Sequence, residues 1–143
     1  MKTRVLQDIL RGQWYLSRTI QDKRQEKTAL MTGIAIFDSL SGRQDCLWYM
    51  ERGNLTWDSY SGESYQNYLY SFRDNFIADL FFPDGRFFHT LDLSQSKTTI
   101  THFCEKDRYE GHYTLYNMNH LEVEWVVNGV RKNYSSKTVF NKK

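Results

Sequence analysis

After its first dozen residues this chain never again offers two consecutive turns of helical pattern. It breaks instead into short apolar–polar alternations with turn signals about every 8–12 residues, the spacing of an all-β barrel or sandwich. The strand-like segments fall at residues 13–20, 30–38, 46–52, 54–60, 65–73, 76–82, 86–93, 98–105, 109–116, 120–127 and 134–140. Pro83-Asp84-Gly85 marks a tight hairpin connection. Ser41-Gly42, Arg52-Gly53-Asn54 and Asn128-Gly129 offer residues that tolerate positive φ, and residues 22–27 form a charged hairpin tip. A ribbon of about ten sequential antiparallel strands leaves two unpaired edges, and closing into a barrel removes them. The expected fold is therefore all-β: a single antiparallel up-and-down barrel of about 8–10 strands over residues 12–141. An open sandwich is the alternative.

Residues 3–11 are the best helix. Val5, Leu6, Ile9 and Leu10 form one apolar stripe, and Gly12 supplies a stop. A helix there can plug one end of the barrel and leave the other open. The 143 residues fit one domain with a real core. Nineteen Lys+Arg stand against 17 Asp+Glu, a formal +2, too small a bias to argue for nucleic acid or a membrane surface. Residues 1–13 are charged and broken at Asp8, unlike a signal peptide, and no apolar run approaches a membrane span. With two cysteines, Cys46 and Cys104, there is no disulfide framework. These features predict a soluble cytoplasmic protein.

Gly12-x-Trp14 opens the first strand after the helix, and it resembles the glycine-x-tryptophan signature of lipocalins and related calycins. That resemblance implies a Trp closing the barrel base with a basic residue near the last strand packed across it, here Arg131 or Lys132. A wider series follows in order: Arg18-x-Ile20, Gly33-x-Ala35-x-Phe37, Tyr49-x-Glu51-x-Gly53, Asp84-Gly85-Arg86-x-Phe88-His89 with Leu91-Asp92-Leu93, His102-x-Cys104-x-x-Asp107-x-Tyr109-x-Gly111-x-Tyr113, and Trp125-x-Val127-x-Gly129-x-Arg131-Lys132-x-Tyr134. The pattern resembles the calycin-like family of unknown function numbered 6314, from about Leu10 to Phe140. Val130 departs from it, standing where proline is expected before the Arg-Lys pair. The resemblance implies a calycin-like barrel and no established activity, so function rests on the residues.

Residues two apart on a strand share a face, so His102 and Cys104 look one way, as do Tyr109, Gly111 and Tyr113. With His89 one hairpin away, His102 and Cys104 have a spacing that can share a metal, but no His-x-x-x-His or Cys-x-x-Cys motif accompanies them, and metal binding is not assigned. A haem would need one open histidine in a large apolar pocket, and nothing singles out His89 or His102. The residues single out no cofactor. Cys104, His102 and Asp107 suggest a catalytic triad only by adjacency, which is no substitute for geometry. Arg18 shares a face with Trp14, Leu16 and Ile20, and Glu51 shares one with Leu47 and Tyr49. Inside a barrel such charges either pair with each other or leave an arginine to hook an anion. Tyr49, Tyr68, Tyr70, Tyr109, Tyr113 and Tyr134 also fall at inward positions. A core built only for stability would favour Val, Ile and Leu, so several hydroxyls together argue for a wet cavity.

The expected function is binding of a small polar or anionic ligand in an aromatic and polar cavity, with Arg18, Glu51, His89, His102, Tyr109, Tyr113, Arg131, Lys132 and Tyr134 as its site. Two alternatives are an enzyme using His/Tyr/Asp acid–base chemistry in the same cavity, and a protein–protein module or homodimer using an outer face with Trp48, Trp57 or Phe82.

Overall fold

The computed structural model describes residues 5–143. One short helix, α1 (Val5–Leu10), precedes ten strands: β1 (Gly12–Asp22), β2 (Lys27–Leu40), β3 (Arg43–Trp57), β4 (Tyr60–Phe72), β5 (Ile77–Phe81), β6 (Phe87–Asp92), β7 (Lys97–Cys104), β8 (Asp107–Asn117), β9 (His120–Asn128) and β10 (Asn133–Lys142). Of the helix expected over 3–11, Thr3 and Arg4 lie outside the described residues. Arg11 donates the last helical hydrogen bond, to the Gln7 carbonyl, and Gly12 then turns the chain at φ +119°. That backbone angle suits only glycine.

All ten strands form one antiparallel sheet in the order β6-β5-β4-β3-β2-β1-β10-β9-β8-β7. The first and last strands pair in its middle, with Trp14 opposite Lys142. The two edges are therefore β6 and β7, which are consecutive in sequence. The sheet curls into a nearly closed up-and-down barrel, with these edges side by side and no ladder between them among the described residues.

Side chains seal that seam. Phe88 on β6 stacks on Trp125 of β9 at 5.5 Å and 17° and meets His102 of β7 edge-on at 5.1 Å. His89 Nε2 lies 3.2 Å from the Tyr113 hydroxyl on β8. Phe88 and His89 are adjacent, so a regular strand would point them to opposite faces. The register explains how both contribute: Leu80 pairs with His89 and Phe81 with Phe87, leaving Phe88 as the extra residue of a β-bulge. A bulge re-aims a side chain, and this one places two consecutive rings at the join.

The helix closes one end. Leu6 and Leu10 pack with Trp14, Leu47, Phe72 and Leu93 in the buried core. Trp14 Nε1 donates to the Leu10 carbonyl at 2.8 Å. The resemblance to calycins implies Arg131 or Lys132 across this Trp, but Lys142 takes the place. Its Nζ sits 4.6 Å from the Trp14 ring centre and donates to the Ile9 and Arg11 carbonyls at 2.7 and 2.5 Å. The β1–β10 register puts Lys142 opposite Trp14, whereas residues 131 and 132 lie in the β9–β10 turn at the other end. One ammonium thus covers the indole face and satisfies helix carbonyls that would otherwise lack donors.

The expected turn at Arg52-Gly53-Asn54 does not exist. Gly53 lies inside β3, directly opposite Gly33 of β2. A Cβ on Gly33 would overlap the Arg52 carbonyl and come within 2.6 Å of Gly53 Cα, and one on Gly53 would overlap the Thr32 carbonyl. The two glycines let long strands approach closely and bend, as barrel closure requires. Gly33→Ala and Gly53→Ala are each expected to lower stability by about 2–3 kcal/mol through backbone overlap. Gly42→Ala, at φ +77° with open space around it, should cost only about 1 kcal/mol. Urea midpoints of the three variants check this ranking, and equal losses would remove the close approach as its cause.

Candidate functional site

Above the plugged base the barrel encloses a cavity of about 270 Å³. Phe37, Leu80, Leu121 and Phe140 form its lower wall, and Ile20, Gln66, Val127 and Tyr134 surround the opposite, open end. Between them lies an ion pair. Arg18 Nη1 and Nη2 donate to the two Glu51 carboxylate oxygens at 2.7 and 2.9 Å. Arg18 Nε donates to Thr138 Oγ1 at 2.7 Å, and Nη1 also lies 3.6 Å from Met31 Sδ. Tyr49 donates its hydroxyl to Glu51 Oε1 at 2.6 Å. Glu51 is 3% exposed, so the carboxylate has exchanged nearly all of its water for these partners. A bidentate, hydrogen-bonded geometry is the one in which burying two charges is tolerated. Burial lowers the Arg18 pKa, but the Glu51 hydrogen bond and charge more than offset it, and the guanidinium stays charged.

The rest of the wall is aromatic. Tyr68 stacks against Phe88 at 5.6 Å and against Tyr49 at 6.0 Å. Trp125 lies opposite Gly111 across β8–β9, and a Cβ on Gly111 would come within 2.7 Å of its indole, so the glycine makes room for the ring. Burial, the largest cause in each case, pushes the Tyr49, Tyr68, Tyr70 and Tyr113 hydroxyls well above the ordinary tyrosine range. The phenols therefore act as neutral donors and acceptors at any physiological pH.

The expected site residues divide into three groups. Arg18, Glu51, Tyr109, Tyr113 and Tyr134 line the cavity. His89 and His102 stand behind or beside its wall. His89 is buried against Tyr113, its Nδ1 completes no hydrogen bond, and His102 packs against Phe82, Phe88 and Tyr109. Lys132 and Arg131 lie outside. Lys132 reaches the rim, its Nζ 3.2 Å from the Tyr109 hydroxyl, while exposed Arg131 borders a shallow charged cleft with Glu105, Lys106 and Asp107. Cys104 is exposed at the β7–β8 hairpin. No three His, Cys, Asp or Glu side chains gather as a metal site among the described residues. Tyr68, Tyr70, Trp125 and Thr138 line the cavity as well, the two tyrosines at positions the alternation reads as inward without assigning them to the site. For Trp125 a signal existed: it alternates with Val123 and Val127, all three at inward positions of β9.

Residues 10–142 match the family of unknown function DUF6314. The chain belongs to that family. No curated protein matches this DUF6314 member. Among solved structures it is similar to the S-type phycobiliprotein lyase CPES from Guillardia theta, at 6% identity and a TM-score of 0.64, with 100% of this chain and 93% of that one covered. It is also similar to EF1p2_mFAP2b bound to DFHBI, at 11% identity, TM-score 0.52 and 100% coverage of both chains. A third similar structure is a de novo designed fluorescence-activating β-barrel, at 11% identity, TM-score 0.51 and 97% and 98% coverage. At such identities the likeness is one of fold.

Burial holds the His89 pKa down to about 4 from an ordinary 6.5, opposed in part by the Thr90 backbone. Between those values the unfolded chain binds a proton that the folded barrel refuses. Stability is therefore lost as pH falls from about 6.5 through about 4, by about 3 kcal/mol in total from this group. His89→Gln keeps a polar partner for Tyr113 and removes the titration. Urea unfolding at pH 7 and pH 4 should show the unsubstituted protein losing about 3 kcal/mol more than the variant. Parallel losses would mean that His89 titrates as it does in water.

Proposed function

We propose that this barrel binds one small, flat aromatic molecule in the cavity above its ion pair, as a calycin-like binding protein. The observation that carries the reading is the cavity itself: a space walled by Tyr68, Phe88 and Trp125 rings, floored by apolar side chains and open at one end. Its 270 Å³ lies between the ~150 Å³ that accommodates a benzene and the ~300 Å³ at which pockets for drug-sized ligands begin. That range suits one or two fused rings. Stacking on exposed π-faces gives such a guest both affinity and orientation. The N-terminal helix, the Gly12-x-Trp14 opening and the lysine across Trp14 support the calycin-like placement. The shared fold with a DFHBI-bound barrel supports a small molecule in the interior.

Binding is favoured over acid–base catalysis by the state of the titratable groups. The buried tyrosines hold their protons, Glu51 is neutralised by Arg18, and His89 faces Tyr113. Neither the buried tyrosines nor His89 is poised to exchange a proton with a guest near pH 7.

Of the protein's four tryptophans, Trp125 alone lines the cavity, so a guest should quench its fluorescence. Titration with a panel of one- and two-ring aromatic compounds is expected to give saturable quenching at about micromolar concentrations for at least one. Val123→Trp, which fills the space from β9, should weaken that binding by about tenfold or more without loss of the β-sheet circular dichroism. A panel that gives no saturable signal would overturn the reading.

A further inference from the structure

The cavity contains a full positive charge, yet its own structure has already spent that charge. A guanidinium has five N–H donors. Four are engaged in Arg18: Nε with Thr138, Nη1 with Glu51 and the Met31 sulfur, and Nη2 with Glu51, leaving one on Nη2. Glu51 is in turn held by Tyr49. An anion entering here would meet a resident carboxylate at hydrogen-bonding distance from Arg18, the only arginine in the cavity lining among the described residues. Like charges sharing one site repel strongly in a low-dielectric interior.

Two tyrosines provide the complementary feature. Tyr68 and Tyr70 line the cavity, and no protein hydrogen bond engages either hydroxyl among the described residues. Neither oxygen is sealed from the cavity space, unlike His89 Nδ1 and Gln7 Oε1. Both hydroxyls are neutral and able to donate. Both hydroxyls open onto the cavity, so a guest that supplies an acceptor gains the net of a neutral hydrogen bond exchanged for water.

We infer that the cavity selects uncharged aromatic molecules carrying a hydrogen-bond acceptor, such as a ring carbonyl, and rejects carboxylates. Tyr68 and Tyr70 read the acceptor, and Glu51 acts as the built-in counter-ion that excludes anions. This selectivity rests on the binding reading above and takes the ion pair over the anion hook, the two roles the sequence leaves open for Arg18.

The test compares three bicyclic probes of similar shape: coumarin, naphthalene and coumarin-3-carboxylate. Affinities come from Trp125 quenching and calorimetry at pH 7. Coumarin is expected to bind about fivefold or more tighter than naphthalene, the gain of about one neutral hydrogen bond. It should also bind about tenfold or more tighter than its carboxylate. Tyr68→Phe with Tyr70→Phe should bring coumarin down to the naphthalene level and leave naphthalene unchanged. Glu51→Gln keeps the shape and uncovers the Arg18 charge, and should raise carboxylate affinity by about tenfold or more.

If the unsubstituted protein binds the carboxylate as tightly as coumarin or tighter, the selectivity is overturned and the binding reading stands. If none of the three binds it, with a panel that is also silent, both fall. If Glu51→Gln fails to fold by thermal melting, the tyrosine pair and the three-probe ranking decide alone. Coumarin affinity unchanged in Tyr68→Phe/Tyr70→Phe would overturn the acceptor-reading role.

Discussion

Closure of the sheet on itself is the constraint on which everything else depends. Every neighbouring pair in this ten-strand ring is joined by a ladder except β6 and β7. Unpaired edge strands invite association with other chains, and natural proteins blunt them by shortness, bulges or cover. This barrel uses all three. β5 and β6 are among its shortest strands, a bulge sits at Phe88, and aromatic rings with one polar pair bridge the gap. The join is thus made of side chains where the other joins are made of backbone, and its strength depends on rings from β6, β7, β8 and β9 meeting correctly.

The same rings are the cavity wall. Phe88 stacks on Trp125 at the seam and on Tyr68 inside, and Tyr113 links the cavity to His89 behind it. A site built on strands is held more rigidly than one on loops. A guest stacked on these rings also stabilises the element that most needs support. By mass action, any molecule that binds only the folded barrel raises its stability.

Much of this was legible in the sequence, for identifiable reasons. Period-two alternation placed Trp14, Leu16, Arg18 and Ile20 on one face and Leu47, Tyr49 and Glu51 on another, and the two charges meet because β1 and β3 flank β2. The helix and its glycine stop were legible because capping is local. Three features were not. Gly53 reads as a turn from composition, but its role comes from Gly33, twenty residues away and visible only in the register. Lys142 carries no motif, and only the β1–β10 pairing sets it over Trp14. Of the Phe88–His89 pair and the His102 to Tyr113 run, Phe88, Tyr109 and Tyr113 do line the cavity, but His89 and His102 fall behind or beside its wall, because periodicity cannot foresee a bulge or the position of a seam.

The interior ion pair shows why a charge in a sequence has to be weighed with its partner. Arg18 alone, in an aromatic barrel, reads as a binding site for an anion. Glu51, held to it by two hydrogen bonds, is what the proposed preference for uncharged guests rests on. Isolating either charge in this space would be far more costly than pairing them, so the two residues act as one neutral dipolar unit. The polar groups that the pair leaves unengaged in the cavity are chiefly the Tyr68 and Tyr70 hydroxyls, on which the proposed selectivity depends. The chemistry of the cavity is therefore set by which of its polar groups remain unsatisfied once the fold has used what it needs.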